Sequence, residues 1–144
     1  AVAALAELGQ VEPIVFARSA ARAGAVLRAG RRTGIRVRLR AWDRAPGALA
    51  EAGVVVSTVP AGAADATAGA LRGLSSRSHG VLLDVVYDPW PTPLASVWAE
   101  TGAVAPGWAM LLHQAAEQVR LMTGLEAPVG AMREALLAEI ASRR

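Results

Sequence analysis

The chain has 144 residues, of which 53% are hydrophobic and 19% charged, and its formal net charge is +3 at pH 7. This composition indicates a globular domain with a core and excludes a disordered chain, and no apolar run approaches the ~18 residues of a membrane-spanning helix. The sequence contains no cysteine, which excludes disulfides and thiolate metal sites and fits a cytoplasmic protein, and we expect no bound metal.

Hydrophobic periodicity predicts an α/β chain in which strands and helices alternate. Strands are expected near 11–16, 35–41, 54–58, 81–86 and 103–105, and helices near 1–8, 20–32, 46–52, 63–73, 92–102, 107–123 and 128–141. Ser19 and Thr92 are candidate N-caps, and Gly124 is a natural stop for the helix that begins at Gly107. The alternation predicts a doubly wound parallel sheet of about five strands.

Arginine supplies all 15 basic residues, and nine of these arginines fall between residues 18 and 44. In the strand 35–41 they alternate with apolar residues, which indicates a half-exposed strand at a sheet edge. The cluster as a whole is either a solvated surface or an anion site. We do not expect nucleic-acid binding, because the aromatic residues that would stack on bases make up only 4% of the chain.

One ordered series of residues lies between Asp84 and Gly124. It comprises Asp84-Val85-Val86-Tyr87-x-Pro89-x-x-Thr92-Pro93-Leu94, then Gly102, then Gly107-x-x-Met110-Leu111-x-x-Gln114-Ala115-Ala116 and Thr123-Gly124. The series resembles the C-terminal signature of shikimate dehydrogenases, which reduce 3-dehydroshikimate to shikimate with NADPH in aromatic amino acid biosynthesis. The resemblance implies an NADP-binding, Rossmann-like domain of an oxidoreductase.

The resemblance assigns roles to several residues of this series. Tyr87 and Gln114 correspond to residues that contact shikimate. Val85, Gly107 and Met110 correspond to cofactor-contacting positions, the first two beside the nicotinamide. Gln114 also stands among apolar neighbours in the sequence, so we expect a buried amide that needs a hydrogen-bond partner, either a ligand hydroxyl or a backbone group.

Two further segments resemble cofactor-binding elements of the family. Ala17-Arg18-Ser19-Ala20-Ala21-Arg22 resembles Asn-Arg-Thr-x-x-Arg/Lys, and Ser57-Thr58-Val59-Pro60-Ala61-Gly62 resembles Asn-Ala-Thr-Ser-x-Gly, although both asparagines are replaced. Arg18 and Arg22 flank a predicted helix start, where a cation opposes the helix dipole unless an anion joins it. Because arginine at this place in a dinucleotide-binding fold accommodates the 2′-phosphate, we expect NADP rather than NAD. The alternative interpretation of the Ser57–Gly62 segment is an ordinary turn between a strand and a helix, without a role in cofactor binding.

Several parts of the family pattern are not found in these 144 residues. The first strand, its Gly-rich phosphate loop and an N-terminal domain with a catalytic lysine and aspartate are lacking, and the chain contains no lysine. We therefore expect residues 1–144 to be a partial cofactor domain without catalytic residues, inactive alone. Helix 128–141 is expected to pack toward the absent substrate domain. Strands 11–16 and 54–58 are expected to pair directly or to be completed in a homodimer or strand-exchanged assembly.

Two alternatives stay open. The first is a quinate/shikimate dehydrogenase paralogue with a different substrate or cofactor preference. The second is a non-catalytic, Rossmann-like module that binds a nucleotide, and it is favoured by the departures from the family pattern at Ala17, Ser57 and Ala109.

Overall fold

The computed structural model describes residues 1–9, 12–75 and 79–142, and all of their side chains except that of Arg22. The chain divides into two compact units, which are Ala1–Ala52 with Ala66–Ser78, and Gly53–Asp65 with His79–Arg144. No helix in the described ranges is both long and apolar enough to cross a bilayer.

The first unit is built on a two-stranded parallel sheet. Its elements are α1 (Val2–Glu7), β1 (Ile14–Ala17), a 3₁₀ helix (Ala20–Ala23), α2 (Gly24–Arg32), β2 (Arg38–Ala41), a second 3₁₀ helix (Trp42–Arg44), α3 (Ala45–Glu51) and nearly all of α4 (Asp65–Arg72). Strand β1 begins at Ile14 because Pro13 has no N–H to donate, although its carbonyl accepts from the Arg38 amide at 2.9 Å.

Strand β2 lies at an edge of this sheet, as the alternation of the sequence predicts. Among the described strands it pairs with β1 alone, so that Ile14 lies opposite Arg38 and Ala17 opposite Ala41. The arginines of the alternating segment are exposed, whereas Ile35 before the strand is buried. Arg38 forms an ion pair with Glu12 at 3.5 Å, and both side chains are more than 40% exposed, so the pair contributes little to stability.

The second unit is built on a three-stranded parallel sheet in the order β3-β4-β5. Its elements are β3 (Val54–Ser57), β4 (Val81–Asp84), α5 (Pro93–Trp98), β5 (Ala103–Pro106), α6 (Gly107–Thr123) and α7 (Val129–Ser142). Its core contains the following buried apolar residues: Val55, Leu82, Leu94, Ala95, Val97, Trp98 and Leu112. Helix α7 packs against α6 and has no buried residue of its own.

The predicted start of α5 and the predicted start and end of α6 are confirmed. The Thr92 hydroxyl accepts from the Ala95 amide at 3.0 Å at the start of α5, and Pro93 occupies the first turn. Helix α6 runs from Gly107 to Thr123, and Gly124 ends it with a φ of 73°, a left-handed conformation that favours glycine.

Helix α5 ends at Trp98, earlier than the predicted end near Gly102. The Trp98 indole Nε1 donates to the Gly80 carbonyl at 3.0 Å. A Cβ atom at Gly102 would overlap that carbonyl and would lie 2.7 Å from Nε1, so the turn into β5 requires glycine. The hydrogen bond from Trp98 therefore holds the C-terminal end of α5 against Gly80, the residue before β4.

The parallel α/β class is confirmed, and so is the number of strands, whereas the strand lengths and the Ser19 cap differ from the prediction. The described strands form one two-stranded and one three-stranded parallel sheet. The completion of strands 11–16 and 54–58, directly or in an assembly, stays a prediction. Each strand has four residues, so the first four strands are shorter than predicted, whereas β5 extends one residue beyond the predicted 103–105, to Pro106. Ser19 has an extended N-cap backbone, but its side chain makes no capping hydrogen bond because the following residues form a 3₁₀ turn. Val11 lies outside the described residues.

Candidate functional site

Three segments predicted to be functional leave the β3-β4-β5 sheet at one edge. The last residues of its strands are register partners, since Ser57 lies opposite Asp84 and Asp84 opposite Pro106. The chain therefore continues from this edge into Thr58 and Val59, into Val85, and into Gly107 at the start of α6. The carboxyl edge of a parallel sheet is where ligands bind in open α/β folds.

Val85 and Gly107, which the family resemblance predicts to lie beside the nicotinamide, are brought together at this edge. A Cβ atom at Gly107 would overlap the Val85 carbonyl oxygen and would lie 3.0 Å from the Asp84 carbonyl oxygen. Gly107 is buried, and Met110, one turn along α6, is half-buried. Only glycine allows the first turn of α6 to lie this close to the main chain that leaves β4.

A buried carboxylate, that of Asp84, lies next to the contact between Gly107 and Val85. Asp84 is 2% exposed, its Oδ2 accepts from the Thr92 hydroxyl at 2.7 Å, and its Oδ1 accepts from the Val86 amide at 3.3 Å. Sequence reasoning included Asp84 only as part of a motif and gave it no role. The sequence did indicate a role for Asp84, because an acidic residue within an apolar strand needs hydrogen-bond partners that offset its lost hydration.

Tyr87 lines a cavity of about 330 Å³ together with two tryptophans. The other lining residues are Trp90, Trp108, Leu137, Ile140 and Ala141. The Tyr87 side chain is 48% exposed, and Arg133 lies 6.0 Å from the centre of the Trp108 ring. The tryptophans were not identified as site residues, because apolar positions in a sequence do not show which of them border a cavity.

The predicted burial of Gln114 is wrong, since this residue is exposed on α6. The buried residues of α6 are Gly107 and Leu112, and Gln114 is about 200° around the helix from Leu112. Within the described residues, Gln114 makes no hydrogen bond with Tyr87, and it does not line the cavity beside Tyr87. Its amide is therefore hydrated and available to a ligand.

In the first unit, the predicted site residues follow β1. Ala17 is the last residue of the strand and is half-buried, Arg18 is exposed, and Ser19 precedes the 3₁₀ helix Ala20–Ala23. Arg18 makes no ion pair with any residue that the structure describes. The backbone of Arg22 lies in the 3₁₀ helix, and its side chain lies outside the described part.

No cluster of three or more histidine, aspartate or glutamate residues that could hold a metal ion occurs within the described ranges.

Known proteins resemble this chain in both sequence and structure. The family described as "Shikimate 5'-dehydrogenase C-terminal domain" matches residues 107–137. The shikimate dehydrogenase (NADP(+)) of Chlorobium phaeovibrioides is 41% identical over 98 residues, which are 64% of this chain and 34% of that protein.

Two solved structures share the fold over nearly the whole chain. Shikimate dehydrogenase of Mycobacterium tuberculosis has a TM-score of 0.81 and 45% identity, covering 95% of this chain and 51% of that one. Quinate dehydrogenase of Corynebacterium glutamicum, in complex with NAD, has a TM-score of 0.77 and 28% identity, covering 95% and 50%. The chain thus spans about a third of the curated relative's length and about half of each solved structure. On these similarities, this chain belongs to the shikimate dehydrogenase family.

Proposed function

We propose that this chain is the cofactor-binding part of an NADP-dependent shikimate dehydrogenase, which interconverts 3-dehydroshikimate and shikimate. The observation that carries the proposal is the 45% identity with the Mycobacterium tuberculosis enzyme over 95% of the chain, at a TM-score of 0.81. When bound, NADPH supplies the hydride for the reduction. The protein's task at this site is to hold and orient the cofactor and one side of the substrate.

We infer that the cofactor binds at the carboxyl edge of the second unit's sheet. Ser57, Thr58 and Val59 follow β3 there, Val85 follows β4, and α6 begins at Gly107 and continues to Met110. The tight contact between Gly107 and the Val85 carbonyl supports this inference, because it fixes two main-chain segments at the place where the nicotinamide is expected.

The adenosine end of the cofactor is assigned to the residues after β1, namely Ala17, Arg18, Ser19 and Arg22. Arg18 is exposed and has no acidic partner within the described residues, so its guanidinium is available for a phosphate. This supports NADP over NAD.

The substrate is assigned to Tyr87 and Gln114. Both side chains are exposed and carry groups that hydrogen-bond to hydroxyls and carboxylates. A Tyr87→Phe substitution is expected to weaken shikimate binding while leaving NADPH binding unchanged.

The proposal is tested on the longer protein to which this chain is proposed to belong. We expect oxidation of shikimate with NADP, and a much lower kcat/KM with quinate or with NAD. A preference for quinate would favour the paralogue that resembles the Corynebacterium glutamicum enzyme. Cofactor binding without turnover of either acid would favour the non-catalytic module.

The 144-residue chain by itself is expected to be inactive and to bind NADP weakly. It contains no lysine for the proton transfer that the family resemblance implies. Isothermal titration calorimetry measures the affinity, and micromolar binding would contradict the expectation. The cytoplasmic location and the homodimer or strand-exchanged assembly stay predictions, as does the packing of α7 toward a substrate domain.

A further inference from the structure

Three polar side chains of the second unit form a buried group, the Asp84 cluster, which consists of Ser57, Asp84 and Thr92. They are 9%, 2% and 7% exposed, respectively. Asp84 is among the largest fully buried side chains of the chain, alongside two leucines. A carboxylate is stable in such a place only when hydrogen bonds replace its lost hydration, so its partners are integral to the fold.

The hydrogen bonds of Asp84 join three parts of the chain. Its backbone ends β4, its Oδ2 accepts from Thr92 at the start of α5, and its Oδ1 accepts from the Val86 amide in the segment that leaves β4. The Thr92 hydroxyl in turn accepts from the Ala95 amide at 3.0 Å. One carboxylate thus fixes both ends of the connection from β4 to α5, and this connection carries Val85 and Tyr87.

Ser57 contributes an unsatisfied group to the cluster. Its Oγ is buried and has no hydrogen-bond partner within the described residues. Ser57 is the register partner of Asp84, so both side chains lie on one face of the sheet. Both line a small cavity of about 10 Å³, which Val86 and Thr92 also line. A cavity of this size with two to four polar partners holds about one water molecule.

We propose that Asp84 is a positioning residue for the Val85–Tyr87 segment, acting through Thr92, through the Val86 amide and through one buried water shared with Ser57. Asp84 itself touches neither cofactor nor substrate. Its role in catalysis rests on the proposed function, in which Val85 and Tyr87 contact those ligands. The hydrogen-bonded connection itself does not depend on that function.

The kinetic test uses three variants of the longer protein. In Asp84→Asn, one of the two acceptor oxygens becomes an amide N–H₂, so either the Val86 amide faces a donor or the hydrogen bond with Thr92 reverses its direction and loses its charge. Thr92→Val removes both hydroxyl hydrogen bonds and keeps the shape, whereas Thr92→Ser keeps the hydroxyl. We expect kcat/KM for shikimate to fall by ~10- to 100-fold in the first two variants, since small misplacements have effects of this size. Thr92→Ser should retain most of the wild-type kcat/KM, because serine keeps the hydroxyl.

The matched control is Thr67→Val, because Thr67 is a buried threonine of α4 that belongs to neither the cluster nor the proposed site. It should lower the melting temperature without changing kcat/KM. The Kd for NADPH, measured by fluorescence, should stay within about twofold of the wild type in all four variants, since the cofactor's other contacts are retained. Values of kcat/KM within twofold of the wild type in both Asp84→Asn and Thr92→Val would overturn the proposal. A loss in Thr92→Val that Thr92→Ser does not restore would also overturn it.

A second measurement does not require activity. Amide hydrogen exchange of Val86 and Ala95 should be faster by roughly tenfold in Thr92→Val, because one hydrogen bond is lost and another is loosened. Unchanged exchange at both amides would overturn the proposal even in an active enzyme. If the wild type does not turn over shikimate, the proposed function fails, and the positioning role is decided by these exchange rates.

The buried water is tested by a high-resolution crystal structure of the wild type and of Ser57→Ala. We expect one ordered water within hydrogen-bond distance of Ser57 Oγ and the Asp84 carboxylate, and its loss or displacement in the variant. Absence of that water in the wild type would refute this part of the proposal.

Discussion

The two units present their candidate binding groups in different ways. In the first unit, Arg18 is exposed after a strand of a two-stranded sheet and has no ion-pair partner within the described residues. In the second unit, Val85 and Gly107 are held by main-chain contact, and a buried carboxylate secures the segment between β4 and α5.

The difference follows from what each group is proposed to do. A guanidinium that neutralises a phosphate acts over several ångströms and tolerates movement of its side chain. Groups that orient a reacting ring and a small substrate must be held far more closely, which requires close packing around them. The substitutions below separate these two requirements.

The largest effect is expected from Gly107→Ala. The added Cβ would overlap the Val85 carbonyl oxygen, and no rotamer change can relieve a clash with main chain. We expect a loss of about 3 kcal/mol in the free energy of unfolding, at the upper end of the range for overpacking. Urea denaturation measures it.

The control for Gly107→Ala is Gly130→Ala in α7, where an added Cβ would meet nothing within 4 Å. Because alanine favours a helix more than glycine does, this variant should be neutral or more stable by about 0.5–1 kcal/mol. Similar losses in both variants would show that the Val85 contact is not the cause.

Arg18→Ala should have an intermediate effect that is restricted to one cofactor. Loss of a charged hydrogen bond to the 2′-phosphate should raise KM for NADPH by ~10- to 100-fold and leave KM for NADH unchanged. Steady-state kinetics of the longer protein measure both. The control is Arg40→Ala on the exposed edge strand β2. Equal changes in the two variants would indicate a general effect of positive charge rather than a defined phosphate contact.

The smallest effect is expected at Glu117, on the surface of α6. Arg120 donates to both carboxylate oxygens, at 2.8 and 2.6 Å, and this hydrogen bonding holds the pKa of Glu117 below its ordinary value of 4.5. Because the folded-state pKa is lowered, the contribution to stability is present above pH 4.5 and is lost as the pH falls through the folded-state pKa.

Glu117→Gln should therefore lower the melting temperature slightly at neutral pH and have no effect at an acidic pH where the carboxylate is protonated. Calorimetry at the two pH values measures the difference. If the melting temperatures of Glu117→Gln and the wild type differed more at acidic pH than at neutral pH, the lowered pKa of Glu117 would be contradicted.

Much of the second unit could be predicted from residues that act locally. Thr92, Pro93 and the glycines at both ends of α6 determine where the helices begin and end, because caps and glycine conformations depend on neighbours in the sequence. The carboxyl edge that gathers Ser57, Asp84 and Pro106 follows from a parallel sheet.

What depends on tertiary packing could not be predicted. Helix α6 carries apolar residues around its circumference, so the sequence does not show that Leu112 is buried while Leu121 and Met122 are 70% and 85% exposed. The expected burial of Gln114 failed for this reason. The division into two sheets depends on which strands pair, and four-residue strands carry little register information of their own.

The corner at Gly102 restricts how this protein can evolve. The obstacle nearest to an added Cβ there is the carbonyl of Gly80, which every amino acid carries, and only the second obstacle is the Trp98 ring. A smaller residue in place of tryptophan would not make room for alanine, so no compensating substitution exists at position 98. Glycine is therefore required at position 102 for as long as the main chain at Gly80 lies this close to it.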